Sequence, residues 1–164
     1  MVPCSNSELW QPTCLGNFGD GDLSLLDTLT PKSPVQILVL CERNCGQQEI
    51  ENLLSPGDYQ LIFVDRPADA FEILGQKPIH LIVSGVHQEE SNSYDFLNRV
   101  KASPHWKEIP FVFLSLKRTQ LANQVDHALE LAAKALGATK YVSVDALTAA
   151  EIQAEIARCL TLAV

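Results

Sequence analysis

No apolar run in the 164 residues approaches the roughly 20 that a bilayer crossing needs. The N-terminus has no basic stretch ahead of an apolar core, so no secretory signal is read there. Cations are in the minority, 12 lysine and arginine against 20 acidic residues for a net charge of −8, and they form no cluster. A surface that tracks phosphates is therefore missing, and nucleic-acid binding is not expected. The cysteines number five, an odd count, and they are scattered, without CxxC or HxxxH. Neither a disulfide framework nor a four-ligand metal site follows from that spacing, and a reduced cytoplasmic setting is the expectation. The stretch CERNCGQQ after the first apolar run holds one glycine, which argues against a Gly-rich phosphate loop and so against a flavodoxin-like enzyme.

What is present reads as a globular chain: 46% hydrophobic and 20% charged residues, in a length that suits one domain with some thirty residues over. Residues 1–34 stand apart as an N-terminal extension, with Pro3, Pro12, Pro31, Pro34 and the lone cation Lys32. From Val35 onward, over 35–164, apolar runs alternate with helical spacing. VQILVLC, YQLIFVD, the run Ile79–Val83, IPFVFLSL and TKYVSV predict five strands. GQQEIENLL after a possible Asn44 cap, PADAFEIL, SYDFLNRVKA, TQLANQVDHALELAAKALG and TAAEIQAEIARCL predict five helices, with Gly137 as a left-handed C-cap. Alternation of this kind predicts an α/β fold, a doubly wound (βα)5 sandwich of flavodoxin type around a five-stranded parallel sheet.

Several of these segments resemble the receiver domain of two-component response regulators (CheY-like). ILVLCER resembles the first strand that ends in paired acids, and KPIHLIVSG the third strand that carries the phosphoacceptor aspartate. EIPFVFLS resembles the fourth strand with its terminal Thr or Ser, and GATKYVSV the fifth. The resemblance implies a signalling module and a phosphorylation pocket at matched positions. The acid pair falls on Cys41 and Glu42, the phosphoacceptor on Ser84, the phosphoryl-binding hydroxyl on Ser115, the lysine on Val144 and the switch aromatic on Tyr141.

Aspartyl phosphorylation needs a carboxylate nucleophile, a cation for the developing charge and oxygen ligands for Mg²⁺. Glu42 is the one carboxylate left among the matched positions, so the expectation is a degenerate pseudo-receiver: no enzyme, no catalytic residue, no metal and no cofactor. Its partners would be signalling proteins such as a histidine kinase or an output protein. Two alternatives stay open. One is unusual phosphoacceptor chemistry at Ser84, with His87 and Glu89 as conceivable helpers. The other is sensing of a small, quinone-like molecule in the vacated pocket. For Ser84 the plainer expectation is a strand-end hydroxyl bonded to nearby backbone, and for Cys41 structural burial.

The fourth helix departs furthest from the family, by about two turns or roughly 10 Å. Leu121, Val125, Ala128, Leu129, Ala132, Ala133 and Leu136 form its apolar stripe, with Gln124, Asp126, Glu130 and Lys134 on the polar side. Leu121 and Val125 are therefore candidates for partner binding or homodimer formation. The alternative cover for the stripe is the extension, through Trp10, Leu15 and Phe18.

Overall fold

Four consecutive residues of the first apolar run, Ile37 to Leu40, are completely buried. Neither face of such a strand meets water, which is the situation of a central strand in a parallel sheet with helices on both sides. The computed structural model describes residues 33–43, 46–55, 57–86, 92–116 and 120–162, without the side chains of 120–124. Its elements are β1 (Val35–Leu40), α1 (Gln47–Leu54), β2 (Tyr59–Val64), α2 (Pro67–Gln76), β3 (Leu81–Gly85), α3 (Ser93–Ala102), β4 (Phe111–Ser115), α4 (Gln120–Ala135), β5 (Lys140–Ser143) and α5 (Ala149–Thr161). The strands lie in the order β2-β1-β3-β4-β5, and every pair is parallel. The doubly wound α/β sandwich predicted from the alternation is thus the observed fold. Its order reverses between β1 and β3, so the carboxyl ends of those strands border the crevice where sites gather.

The pleat sorts the core into two layers. Leu38 and Leu40 of β1 join Ala70 and Leu74 of α2, Phe96, Leu97 and Val100 of α3, and Ala133 of α4. Ile37 and Val39, one step out of phase, join Ile50 and Leu54 of α1 and Ile152, Ile156 and Cys159 of α5. Helix ends follow local chemistry. Pro67 opens α2, where its missing N–H is not needed. The Asn92 side chain accepts from the backbone N–H groups of Tyr94 and Asp95 to start α3. Thr148 and Glu151 form a reciprocal capping box on α5. Gly137, at φ 96°, ends α4: Ala138 N–H donates to Ala133 and Gly137 N–H to Lys134, the pairing of a Schellman turn.

The third strand differs from the expectation of a run ending at Val83. It continues through Gly85, because Ser84 and Gly85 still have ladder partners in β4, Phe113 and Leu114. A strand keeps pairing as long as a neighbour does, whatever the polarity of its side chains: Ser84 pairs with both β1 and β4, and Gly85 with β4. Asn44 and residues 1–32 lie outside the described residues.

Phe113 sits at the centre of an aromatic run, 4.9 Å from the Tyr94 ring and 5.1 Å from Phe111. Phe113→Ala is expected to destabilise the domain by about 3–5 kcal/mol. Urea unfolding would measure it, and a loss below about 1 kcal/mol would show that the cavity collapses.

Candidate functional site

At the carboxyl end of β1, the Cys41 N–H donates to Val64 at 3.0 Å and its thiol is buried. Gln47 of α1 reaches back, its side-chain amide donating to the Cys41 carbonyl at 3.0 Å and to Asp65 Oδ1 at 3.3 Å. Arg43 pairs with the other oxygen of Asp65 at 2.7 Å. Glu42 is half-buried beside them. Ser84 is fully buried, and its hydroxyl donates to the Gly85 carbonyl at 3.2 Å, which also accepts from Ser93 at 2.8 Å. His87 and Glu89 lie outside the described residues.

Across the sheet, the Val144 N–H donates to the Ser115 carbonyl at 3.0 Å. Its side chain packs with Leu116 and Leu147 against the layer that contains Cys41. Gly46, at φ 87°, admits Leu116 to this lip: a Cβ there would lie 2.5 Å from Leu116 Cδ1. Leu116 and Val144 thus join this apolar layer.

The polar focus lies one strand further on, at a residue the sequence reading had placed on the solvent side of α4. Asp126 is buried, 7% exposed. Tyr141 Oη donates to its Oδ1 at 2.8 Å. Ser115 Oγ lies 3.3 Å from both carboxylate oxygens, and Ser143 Oγ 3.4 Å from Oδ2. Ser115 and Ser143 are direct neighbours across β4 and β5, as are Phe113 and Tyr141. Alternate residues of a strand share a face, so the two strands deliver three hydroxyls to one point. The expected amphipathic face of α4 is correspondingly rotated. Asp126, Leu129 and Ala133 point inward, while Val125 and Leu131 are 46% and 57% exposed. Three donors repay the burial of a carboxylate, and the apolar residues turn out to water because the helix cannot present both faces at once.

Electrostatics agree with the geometry. Burial first, then the bond to the Asp126 carboxylate, raises Tyr141 far above the ordinary tyrosine range. Tyr94 is raised as well, by burial and then by the Asp126 charge. Its Oη donates to the Leu129 carbonyl at 3.3 Å, a second tie onto α4. Both phenols therefore stay protonated as donors. Beside the cluster, a cavity of about 460 Å³ opens between α4 and residues 141–147, lined by Asp126, Glu130, Tyr141, Ser143 and Asp145 among others.

Of the positions singled out from the sequence, Ser115 and Tyr141 converge on Asp126. Ser84 and Cys41 belong to other strand ends, and Val144 to the apolar lip. Val125 is exposed, and the Leu121 side chain lies outside the described residues. The sequence did carry one signal for Asp126: it lies three and seven residues ahead of Leu129 and Ala133, the phase of a buried helical face.

No family model matches the chain. A probable cyclic di-GMP phosphodiesterase of Vibrio cholerae is 37% identical over 73 residues, 44% of this chain and 15% of that protein. The two-component response regulator ORR3 of rice (Oryza sativa) is 30% identical over 86 residues, 52% of this chain and 66% of the relative, just under two thirds of its length. Among solved structures, the signal receiver domain of an HD domain-containing protein from Pseudomonas fluorescens superposes with a TM-score of 0.66 at 20% identity, covering 82% of this chain and 92% of that one. The chemotaxis response regulator CheY4 of Vibrio cholerae gives 0.60 at 16% identity, covering 77% and 99%. The chain has the receiver fold of response regulators.

Asp126→Ala would strand three buried or half-buried hydroxyls and is expected to cost about 1–3 kcal/mol, with Asp126→Asn costing less because one acceptor remains. Urea unfolding of both variants checks this, and equal losses would mean that the hydroxyls do not depend on the carboxylate.

Proposed function

We propose that this chain works as a pseudo-receiver, a response-regulator module that signals through protein contacts without aspartyl phosphorylation. The observation that carries this reading is the capture of Ser115 and Tyr141 by Asp126. In the receiver family, the matched hydroxyl and aromatic respond to the phosphoryl group. Here a carboxylate from α4 holds both, so a side chain of the protein itself takes the place of the signal. The former acid pair supports the same reading. A buried thiol stands at Cys41, which leaves Glu42 as the one carboxylate of the pair, and the neighbouring Asp65 is engaged by Arg43 and Gln47. That set does not fit Mg²⁺, which prefers octahedral oxygen ligation.

The alternatives fare less well on these observations. Ser84 is sealed in the sheet and bonds its neighbouring carbonyl, which is poor placement for a nucleophile. Among the described residues near the vacated pocket, Leu116, Val144 and Leu147 pack on the apolar layer, and no observation there favours a quinone-like ligand. The proposed partners are a histidine kinase or an output protein in the cytoplasm, or a second copy of the chain, and no enzymatic step is assigned. The exposure of Val125 and Leu131 supports α4 as the proposed contact element.

Incubation with acetyl phosphate and Mg²⁺ is expected to leave the intact mass unchanged. A gain of one phosphate that disappears in Ser84→Ala would overturn the reading. For the contact surface, Leu121→Glu with Val125→Glu is expected to abolish self-association or partner capture and to leave the circular dichroism spectrum and melting temperature near those of the parent. Outright unfolding of a chain that is monomeric at high concentration would return those side chains to the core.

A further inference from the structure

Away from the Asp126 cluster, the end of α3 and the turn after it carry three cations, Arg99, Lys101 and Lys107, the last paired with the adjoining Glu108 at 3.9 Å. This segment closes α3 and borders a groove of about 430 Å³ formed by Phe71 of α2 with Arg99, Ala102, Ser103 and Trp106. That volume falls within the roughly 300–1,000 Å³ of small-ligand pockets. Ala102, with only a methyl group, leaves the groove open beside Phe71 and Trp106, whose rings pack against each other at 5.6 Å. Phe71 is braced from below by Phe96 at 5.1 Å, which fixes the wall of the groove.

The Arg99 guanidinium sits 4.3 Å above the Phe71 ring. Stacking holds the plane of the guanidinium while leaving its N–H donors in that plane, and Arg99 makes no hydrogen bond or ion pair with another described residue. Lys101, by contrast, is committed to the backbone, donating to the Lys107 and Ile109 carbonyls at 2.9 Å each. Its charge still offsets the negative pole at the end of α3, so an anion is tolerated there. An apolar slot with one preoriented guanidinium at its rim complements an apolar anchor flanked by a carboxylate.

We infer that this α2–α3 groove is a docking site for an acidic, aromatic-bearing segment of a partner protein, with the aromatic side chain over Ala102 against the paired Phe71 and Trp106 rings and a neighbouring carboxylate on Arg99. It stands independently of the pseudo-receiver reading, because none of its residues touches the Asp126 cluster. Buried aromatic and arginine anchors carry most of the energy of such contacts, and charge complementarity selects the partner.

Fluorescence anisotropy on the full chain tests it, with a fluorescein-labelled peptide Gly-Asp-Phe-Glu-Leu-Gly and two controls, one with lysine in place of both acids and one with alanine in place of Phe and Leu. The acidic aromatic peptide is expected to bind at least tenfold more tightly than either control. Arg99→Glu should weaken it at least tenfold and shift preference to the lysine peptide. Ala102→Trp, which fills the groove from its exposed side, should abolish binding with an unchanged circular dichroism spectrum. Equal binding of the three peptides, or binding that survives both variants, overturns the inference. So does a sedimentation experiment in which Arg99→Glu dissolves a dimer, since the occupant would then be a second copy of this chain.

Discussion

One carboxylate, on Asp126, joins three elements, β4, β5 and α4. Ser115 closes β4 and Ser143 closes β5, and Tyr141 lies two residues back along β5. All three hydroxyls donate to the same group on α4. A hydrogen bond to a charged acceptor contributes about 1.5–3 kcal/mol, and each of these ties helix to strand. Moving α4 away from β5 would leave a charge partly desolvated and three donors short of an acceptor, a penalty that rises with burial. The rest of the α4 surface follows from this anchoring. With Asp126 inward, Val125 and Leu131 must point outward, so the exposed apolar patch and the buried charge are two consequences of one helix rotation.

That coupling also explains what could be read from residues alone. The sheet was legible because its chemistry is redundant. Each strand is a short apolar run, each is followed by helical spacing, and parallel pairing with right-handed crossovers leaves few arrangements. The Gly137 cap rests on a local rule that tertiary packing did not override. The end of β3 was misjudged for a related reason: hydrophobicity stops at Val83, whereas the ladder stops only where neighbouring strands do, beyond Gly85.

The phase of α4 was not legible, and the cause is physical. Counting apolar residues on a helix assumes that polar ones prefer water. Asp126 breaks that assumption because Ser115, Tyr141 and Ser143 replace its hydration, and those residues are separated from it by 11, 15 and 17 positions. No window along one helix contains that information. The Asp126–Leu129–Ala133 spacing hinted at it, but the competing stripe through Val125 and Leu129 was longer and more apolar. The site residues matched by family resemblance divided in the same way. Ser115 and Tyr141 kept a polar partner, while Cys41 and Val144 were absorbed by packing.

Under the proposed reading, negative charge has moved rather than vanished. A phosphorylated receiver carries its signalling charge at the end of the third strand, where it appears and disappears. Here the matched position is a neutral serine with a purely local hydrogen bond, and the carboxylate that engages the same switch hydroxyls is a permanent part of α4. A permanent charge cannot report a phosphodonor, but it can hold the α4–β5 surface in one arrangement. Partner recognition would then depend on which surfaces that arrangement exposes, the apolar face of α4 on one flank and the Arg99 groove on the other. Because the groove is built from α2, α3 and the turn after it, whereas Val125 and Leu131 belong to α4, the two surfaces can be occupied at once, which suits a module that brings two proteins together better than one that switches between them.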